Sequence, residues 1–202
     1  MTHTSRSIIA IALLAGVLAG CASEQAVDEI KFHHITEHGK RLMQLARPGP
    51  DHVGPLDLNT VVRDVIAMLR GAGKLRRVDV AAELGPEPLH VTVNRTRIEQ
   101  ILVNLMVNAV DAIGDRDGKV VVSAHRRADG QRVVCEVRDD GAGVAPGNLD
   151  KIFQPFFTTK PEDKGTGLGL PVARGIVESY GGTLTASSTV GVGTTFTFDL
   201  PC

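Results

Sequence analysis

"ILVNLMVNAVDAI", residues 101–113, restricts the fold more than any other stretch of the chain. It reads as the inside of a helix until Asn104, Asn108 and Asp111 interrupt it. At 3.6 residues per turn these three fall within an arc of about 60° and form one polar stripe. A solvated helix face usually carries Lys, Glu and Arg. This stripe carries only short side chains with oxygen, and no long charged chain lies between Glu99 and Asp111. Such donors suit a hard cation such as magnesium. A second element has to supply whatever the cation bridges to.

The chain has 202 residues, enough for one domain of ordinary size plus an extra segment. A domain of roughly 150 residues buries a core without disulfides or structural metals. Net charge is -1 and Trp is absent, which argues against a nucleic-acid partner. Cys21, Cys135 and Cys202 match no zinc spacing. Cys135 sits in the alternating run "RVVCEVR", where a small buried apolar residue fits.

Residues 1–23 form an apolar N-terminal segment. Its run 7–20, "SIIAIALLAGVLAG", is too short to span a bilayer comfortably. With Arg6 before it and "LAGCAS" after it, it looks like a lipoprotein signal in which Cys21 is lipidated. The other reading is an Ala/Leu-rich packing helix. Residues 24–47 read as a helix ended by Arg47-Pro48-Gly49-Pro50, and 48–55 as a linker.

From 56 to 202 helices and strands are interspersed. After a short extended lead-in, Asn59 caps a helix ending at Gly71. "RRVDVAAEL" and "LHVTV" alternate like strands, and Asn94 caps a helix over 95–113. "KVVVSAHR" and "RVVCEVRD" are strands joined by the hairpin signal "ADGQ". A Gly-, Pro- and Lys-rich stretch from Asp139 to Gly169 holds a short helix candidate, "NLDKIF". "LPVARGIVESY" reads as a helix, and "GTLTASS" pairs with "GTTFTFDL" across "TVGVG". The pattern implies an α+β fold: a two-layer sandwich of a mixed, largely antiparallel sheet and helices.

Three stretches join the helix stripe. In "DDGAG", Asp139 follows a strand and could accept a hydrogen bond from an exocyclic amine. Gly141 and Gly143 there remove side chains that would block a flat ring. "FQPFFTTK" holds Phe153, Phe156 and Phe157, half of the six phenylalanines, and ends in Lys160, placed for a phosphate. Core packing accounts for one or two of these rings. "KGTGLGL" sets Gly165, Gly167 and Gly169 before a helix, where free backbone N–H groups make an anion site. No strand feeds it, so it is not a dinucleotide fingerprint, and Gly-Lys-Ser/Thr occurs nowhere in the chain. Together the four pieces are the parts of an ATP site built without a P-loop.

From about residue 55 to 201 the chain resembles the catalytic, ATP-binding domain of bacterial sensor histidine kinases, a branch of the GHKL ATPase superfamily. "NLMVNAVDA" resembles that family's asparagine box, "DDGAG" its first glycine box, "FQPFFTTK" its phenylalanine box and "GTGLGL" its second glycine box. "PFFTTK" with "GTGLGL" is most similar to the nitrogen-regulation and hybrid-kinase branch. The resemblance implies ATP and Mg2+ as cofactors. It makes Asn108 the metal ligand, with Asn104 helping at the phosphates, and Asp139 the reader of the adenine amine, supported by Thr194 through water. It gives Gly165, Thr166, Gly167, Leu168 and Gly169 phosphate contacts in a lid over roughly 154–169, assisted by Lys160. Asp111 stays near the nucleotide.

The family's acceptor box is a His, an acidic residue and then a Pro, but no proline precedes Pro48. Residues 24–47 resemble the second helix of the dimerisation hairpin and imply a homodimer through that helix. The reaction expected is transfer of the ATP γ-phosphate to a histidine on another segment or chain, with a response regulator as partner. His33, His34 and His38 remain as local acceptor candidates; "HITEH" also echoes a metalloprotease pattern, within no peptidase-sized domain. A lipidated, exported chain would find no ATP, so the domain is placed in the cytoplasm, and the N-terminus is then a membrane tether, a gene-fusion scar or a misplaced start. The rival readings are a non-catalytic docking remnant of a sensor kinase and an exported lipoprotein.

Overall fold

Alternating apolar residues lay down a sheet whose order is seen in the computed structural model, which describes residues 52–160 and 165–202. Strands β2 (Val78–Leu84), β4 (Gly118–Arg126), β5 (Arg132–Asp139), β7 (Gly193–Pro201) and β6 (Thr183–Thr189) lie side by side in that order. β2 and β4 run parallel, and the other neighbours are antiparallel. A separate antiparallel pair joins β1 (Gly54–Asp57) to β3 (His90–Val93).

One face of each strand is apolar. Val120, Val122, Val133, Cys135, Val137, Phe196, Phe198 and Leu200 are all buried. They share a core with Val61 and Val65 of α1 (Leu58–Gly71), Ile98, Ile101 and Leu105 of α2 (Arg95–Ile113), and Ala173 and Val177 of α3 (Gly169–Ser179). The alternate positions, such as Lys119, His125, Glu136, Arg138 and Thr197, are polar and at least partly exposed. The sheet is therefore covered on one face, the two-layer α+β sandwich that the sequence implies. Fully burying one such Leu or Ile contributes about 1.5–3 kcal/mol. Burial in the core pushes the Cys135 thiol well above its ordinary range, so it packs as an apolar residue.

Two local expectations change. Asp57, not Asn59, caps α1: its carboxylate accepts from the N–H of Asn59 (3.2 Å) and Thr60 (3.2 Å) and from Leu89 N–H (2.8 Å). Two carboxylate oxygens serve donors from both the helix and Leu89, just before β3, so the helix starts earlier. Asn59 is buried instead, its amide donating to the Glu87 carbonyl at 2.9 Å. "NLDKIF" is not an α-helix: one 3-10 turn, Pro146–Asn148, leads into further turns. The segment is too short to offset helix nucleation, and Pro155 disfavours helical backbone at Gln154. Asn94 caps α2 as expected, its side chain accepting from Arg97 N–H at 3.1 Å.

The chain divides into two units, Met1–Pro48 and Gly49–Cys202. The expectations for the apolar segment 1–23, the helix 24–47 and the first half of the linker, 48–51, lie outside the described residues. β1 begins at Gly54, inside the expected linker. Among the described residues no helix is long and apolar enough to cross a membrane.

Candidate functional site

The polar stripe of α2 faces a cavity of about 550 Å3. Asn104, Asn108, Asp111, Asp139, Gly143, Lys160, Gly165, Thr166, Gly167, Gly169 and Thr194 all line it, so eleven of the thirteen sequence-predicted residues meet in one place. Gly141 and Leu168 do not line it. Val103, Val107, Val144, Ile152, Phe157 and Phe196 supply apolar walls wide enough for a flat ring.

Among the lining residues is Asp139, the last residue of β5 and only 4% exposed. Its Oδ1 accepts from Gly141 N–H at 2.8 Å and Thr194 N–H at 3.2 Å. The backbone thus fixes the carboxylate and leaves Oδ2 for a ligand donor. Burial pushes this carboxyl above the ordinary aspartate range, against the pull of those two N–H groups.

Beside it, Ser188 joins three segments. Its hydroxyl accepts from Val144 N–H (2.8 Å), donates to the Gly193 carbonyl (2.8 Å) and lies 3.0 Å from Thr194 Oγ1. The Ser188 hydroxyl has one proton, and the Gly193 carbonyl can only accept. The Thr194 hydroxyl therefore donates to Ser188 and turns lone pairs toward the cavity. This part of the lining offers acceptors, as an exocyclic amine requires.

The glycines of "DDGAG" have a different reason from ring clearance. A Cβ on Gly141 would meet the Ala112 Cβ and Asp139 Oδ1 at 2.7 Å. On Gly143, at φ +73°, it would lie 2.3 Å from the Thr189 carbonyl oxygen. Both are needed for close backbone approach, and Gly141 lies away from the cavity because it packs against the end of α2.

The lining around Lys160 is built from side chains. The Lys160 ammonium donates to Asn108 Oδ1 at 2.9 Å and to Asp111 Oδ2 at 2.6 Å. Two oxygens of the α2 stripe thus converge on one positive charge, so the donor set fits a cation. Asn104 donates to the carbonyl of Gly169, the first residue of α3, at 3.0 Å, tying the stripe to the second glycine box. Phe156 has φ +67° and is the one non-glycine with positive φ among the described residues. Its N–H donates to the Gly167 carbonyl at 2.9 Å, and a Cβ on Gly167 would come within 2.4 Å of the Phe156 backbone. The phenylalanine and second glycine boxes clasp through bare backbone. Phe153 packs edge-on against Phe196 and Phe157 joins the core, while Phe156 points outward. Leu168 sits at the N-cap of α3 without a side-chain capping bond.

Ser188 was not among the residues singled out from the sequence. Its signal was there: with Leu184 and Ala186 it falls on the inward face of β6, where an apolar residue is expected.

A mixed sheet under helices, with a cavity lined both by the Asp139 acceptors and by clasped glycine loops, defines a nucleotide-binding ATPase sandwich that uses no P-loop. Residues 93–202 match the family of histidine kinase-, DNA gyrase B- and HSP90-like ATPases, and the chain belongs to that family. The sensor histidine kinase ZraS of Klebsiella oxytoca is 38% identical over 160 residues, covering 79% of this chain and 34% of that protein. The signal transduction histidine-protein kinase AtoS of Escherichia coli K12 is 35% identical over 162 residues, covering 80% of this chain and 26% of AtoS. The catalytic domain of the histidine kinase ThkA, solved nucleotide-free, is 33% identical with a TM-score of 0.66, covering 74% of this chain and 95% of that one. The chain carries an ATP-binding domain of the sensor histidine kinase type. It spans about a third or less of the length of these curated relatives.

Proposed function

We propose that the chain binds ATP with magnesium in this cavity and presents the γ-phosphate to a histidine on a dimerisation hairpin, for relay to a response regulator. The observation that carries this reading is that Asp139 and the Asn108–Asp111 stripe line one and the same cavity. Asp139 Oδ2 accepts from the adenine amine, and Thr194 supports it through water. Val103, Val107 and Phe196 sandwich the ring. The backbone N–H groups of Gly165, Thr166, Gly167, Leu168 and Gly169, at the N-terminus of α3, receive the phosphates. Asn108 and Asp111 would hold magnesium with Asn104 nearby; when bound, the ion neutralises charge on the triphosphate. Among the described residues no three His, Cys, Asp or Glu side chains form a metal cluster, and the ion would be held together with the triphosphate. The protein's share of catalysis is positioning and charge stabilisation. ATP places this work in the cytoplasm; dimerisation through 24–47 and a tether at the N-terminus belong to the same proposal.

The test uses the full chain, ATP labelled at the γ-phosphate, Mg2+ and a separately purified acceptor hairpin. An acid-labile label on the hairpin histidine supports the kinase. ATP binding without label reduces the chain to a docking module, and no magnesium-dependent binding ends the reading altogether.

A further inference from the structure

We infer that Lys160 makes this site selective for the metal–nucleotide complex over the free metal ion. The inference rests on the ATP reading above. Lys160 is the one cationic side chain lining the cavity among the described residues. Its ammonium takes Asn108 Oδ1 at 2.9 Å and Asp111 Oδ2 at 2.6 Å, the two stripe oxygens assigned to a cation. The same atoms cannot serve both positive charges, because an ammonium and a divalent ion this close repel strongly.

A free divalent ion must therefore displace Lys160 into solvent and lose the competition for Asp111. A triphosphate changes that balance. It gives the ammonium a second anionic partner inside the cavity, and the four-carbon stem lets Lys160 move to it without backbone change. The ion pair is suited to exchange: its side chains are 32% and 42% exposed, in the range where a single pair is weakly held. Lys160 then couples the two ligands. Nucleotide frees the metal oxygens, and metal makes Lys160 available to phosphate, with the same factor in both directions.

Binding of Mn2+ to the full chain without nucleotide, read by paramagnetic resonance of the free ion, tests this. Lys160→Met is expected to bind Mn2+ about threefold to fivefold tighter than the wild type, and Lys160→Gln to do the same if the methionine variant misfolds. Adding Asp111→Asn to either is expected to cancel the gain. Equal affinities for wild type and both variants, or a gain that survives Asp111→Asn, overturns the inference. A parallel calorimetric titration of each protein with the pre-formed Mg2+ complex of a non-hydrolysable ATP analogue separates the two readings. If the complex binds yet the variants gain nothing for free Mn2+, only the role of Lys160 falls. If no protein binds the complex, the ATP reading falls with it.

Discussion

Two parts of the cavity lining, around Asp139 and around Lys160, are made in opposite ways. In the first, backbone N–H groups of Gly141 and Thr194 hold the carboxylate, and Ser188 ties Val144, Gly193 and Thr194 around one hydroxyl. Asp139 and Thr194 are two of only three buried polar or charged side chains among the described residues. In the second, side chain meets side chain, and the partners are half exposed. The lesson is that the Asp139 group is built into the fold, whereas the Lys160 contacts are exchangeable. On the proposed function, the first would meet the base and the second the phosphates and the metal.

The largest effect is expected where the backbone fixes polarity. In Asp139→Asn, the Gly141 and Thr194 N–H groups still demand an acceptor, so the amide oxygen must face them and the NH2 group must face the cavity. A donor then meets the adenine amine. ATP affinity is expected to fall by at least about 100-fold, because a buried polar group is left facing its own kind. GTP, which offers a carbonyl at that edge, is expected to lose far less. Calorimetric titration with both nucleotides reads the ratio, and an unchanged ratio breaks the contrast between the two parts.

Next comes Ser188→Ala, which removes the partner of Val144 N–H, of the Gly193 carbonyl and of the Thr194 hydroxyl, although Ser188 itself does not line the cavity. Losing partly buried hydrogen bonds of this kind costs about 1–3 kcal/mol. For a domain of this size the melting temperature is expected to drop by roughly 3–8 °C. Asn108→Ala in the exchangeable part is expected to lower metal-dependent nucleotide binding while moving the melting temperature by less than about 2 °C. Equal destabilisation by both would mean that the two parts are equally structural.

That contrast also governs how much could be read in advance. The α2 stripe was legible because helical period puts Asn104, Asn108 and Asp111 on one line whatever surrounds them. The strands and their hairpins followed from alternation, and the α+β sandwich from their order. Residues brought together by tertiary register were not legible from position alone. Ser188 pairs with Thr194 across β6 and β7, and both approach the first glycine box only once the strands are aligned. Asn59 reads as a cap in isolation. Asp57 displaces it because Leu89, thirty-two residues on, also needs an acceptor. Nor does the sequence say that Gly141 is required by Ala112 rather than by a ligand.

The smallest effect, and the one that distinguishes function from stability, is in pH dependence. Burial acts on two aspartates with opposite outcomes. Asp139 is raised, because burial outweighs its two backbone bonds. Asp199 is also penalised by burial, but Arg132 at 2.6 Å and Thr183 donors at 2.7 and 2.8 Å outweigh it, and the group is lowered. The signs follow by linkage. Asp199 stabilises the fold above its unfolded value, near pH 4, and that contribution is lost as pH falls through its lowered folded value. Asp139 works the other way: the native state holds its proton more tightly, so stability declines as pH rises from about 4 toward the raised folded value. Urea unfolding of the wild type, Asp139→Asn and Asp199→Asn between about pH 3 and 7 reads both slopes. Asp199→Asn is expected to lose its deficit at the acid end, and Asp139→Asn to gain on the wild type as pH rises. Saturating ATP supplies the donor that Asp139 Oδ2 lacks and is expected to shrink the wild-type slope in that window. If ATP leaves the slope unchanged, Asp139 is not the group that meets the base.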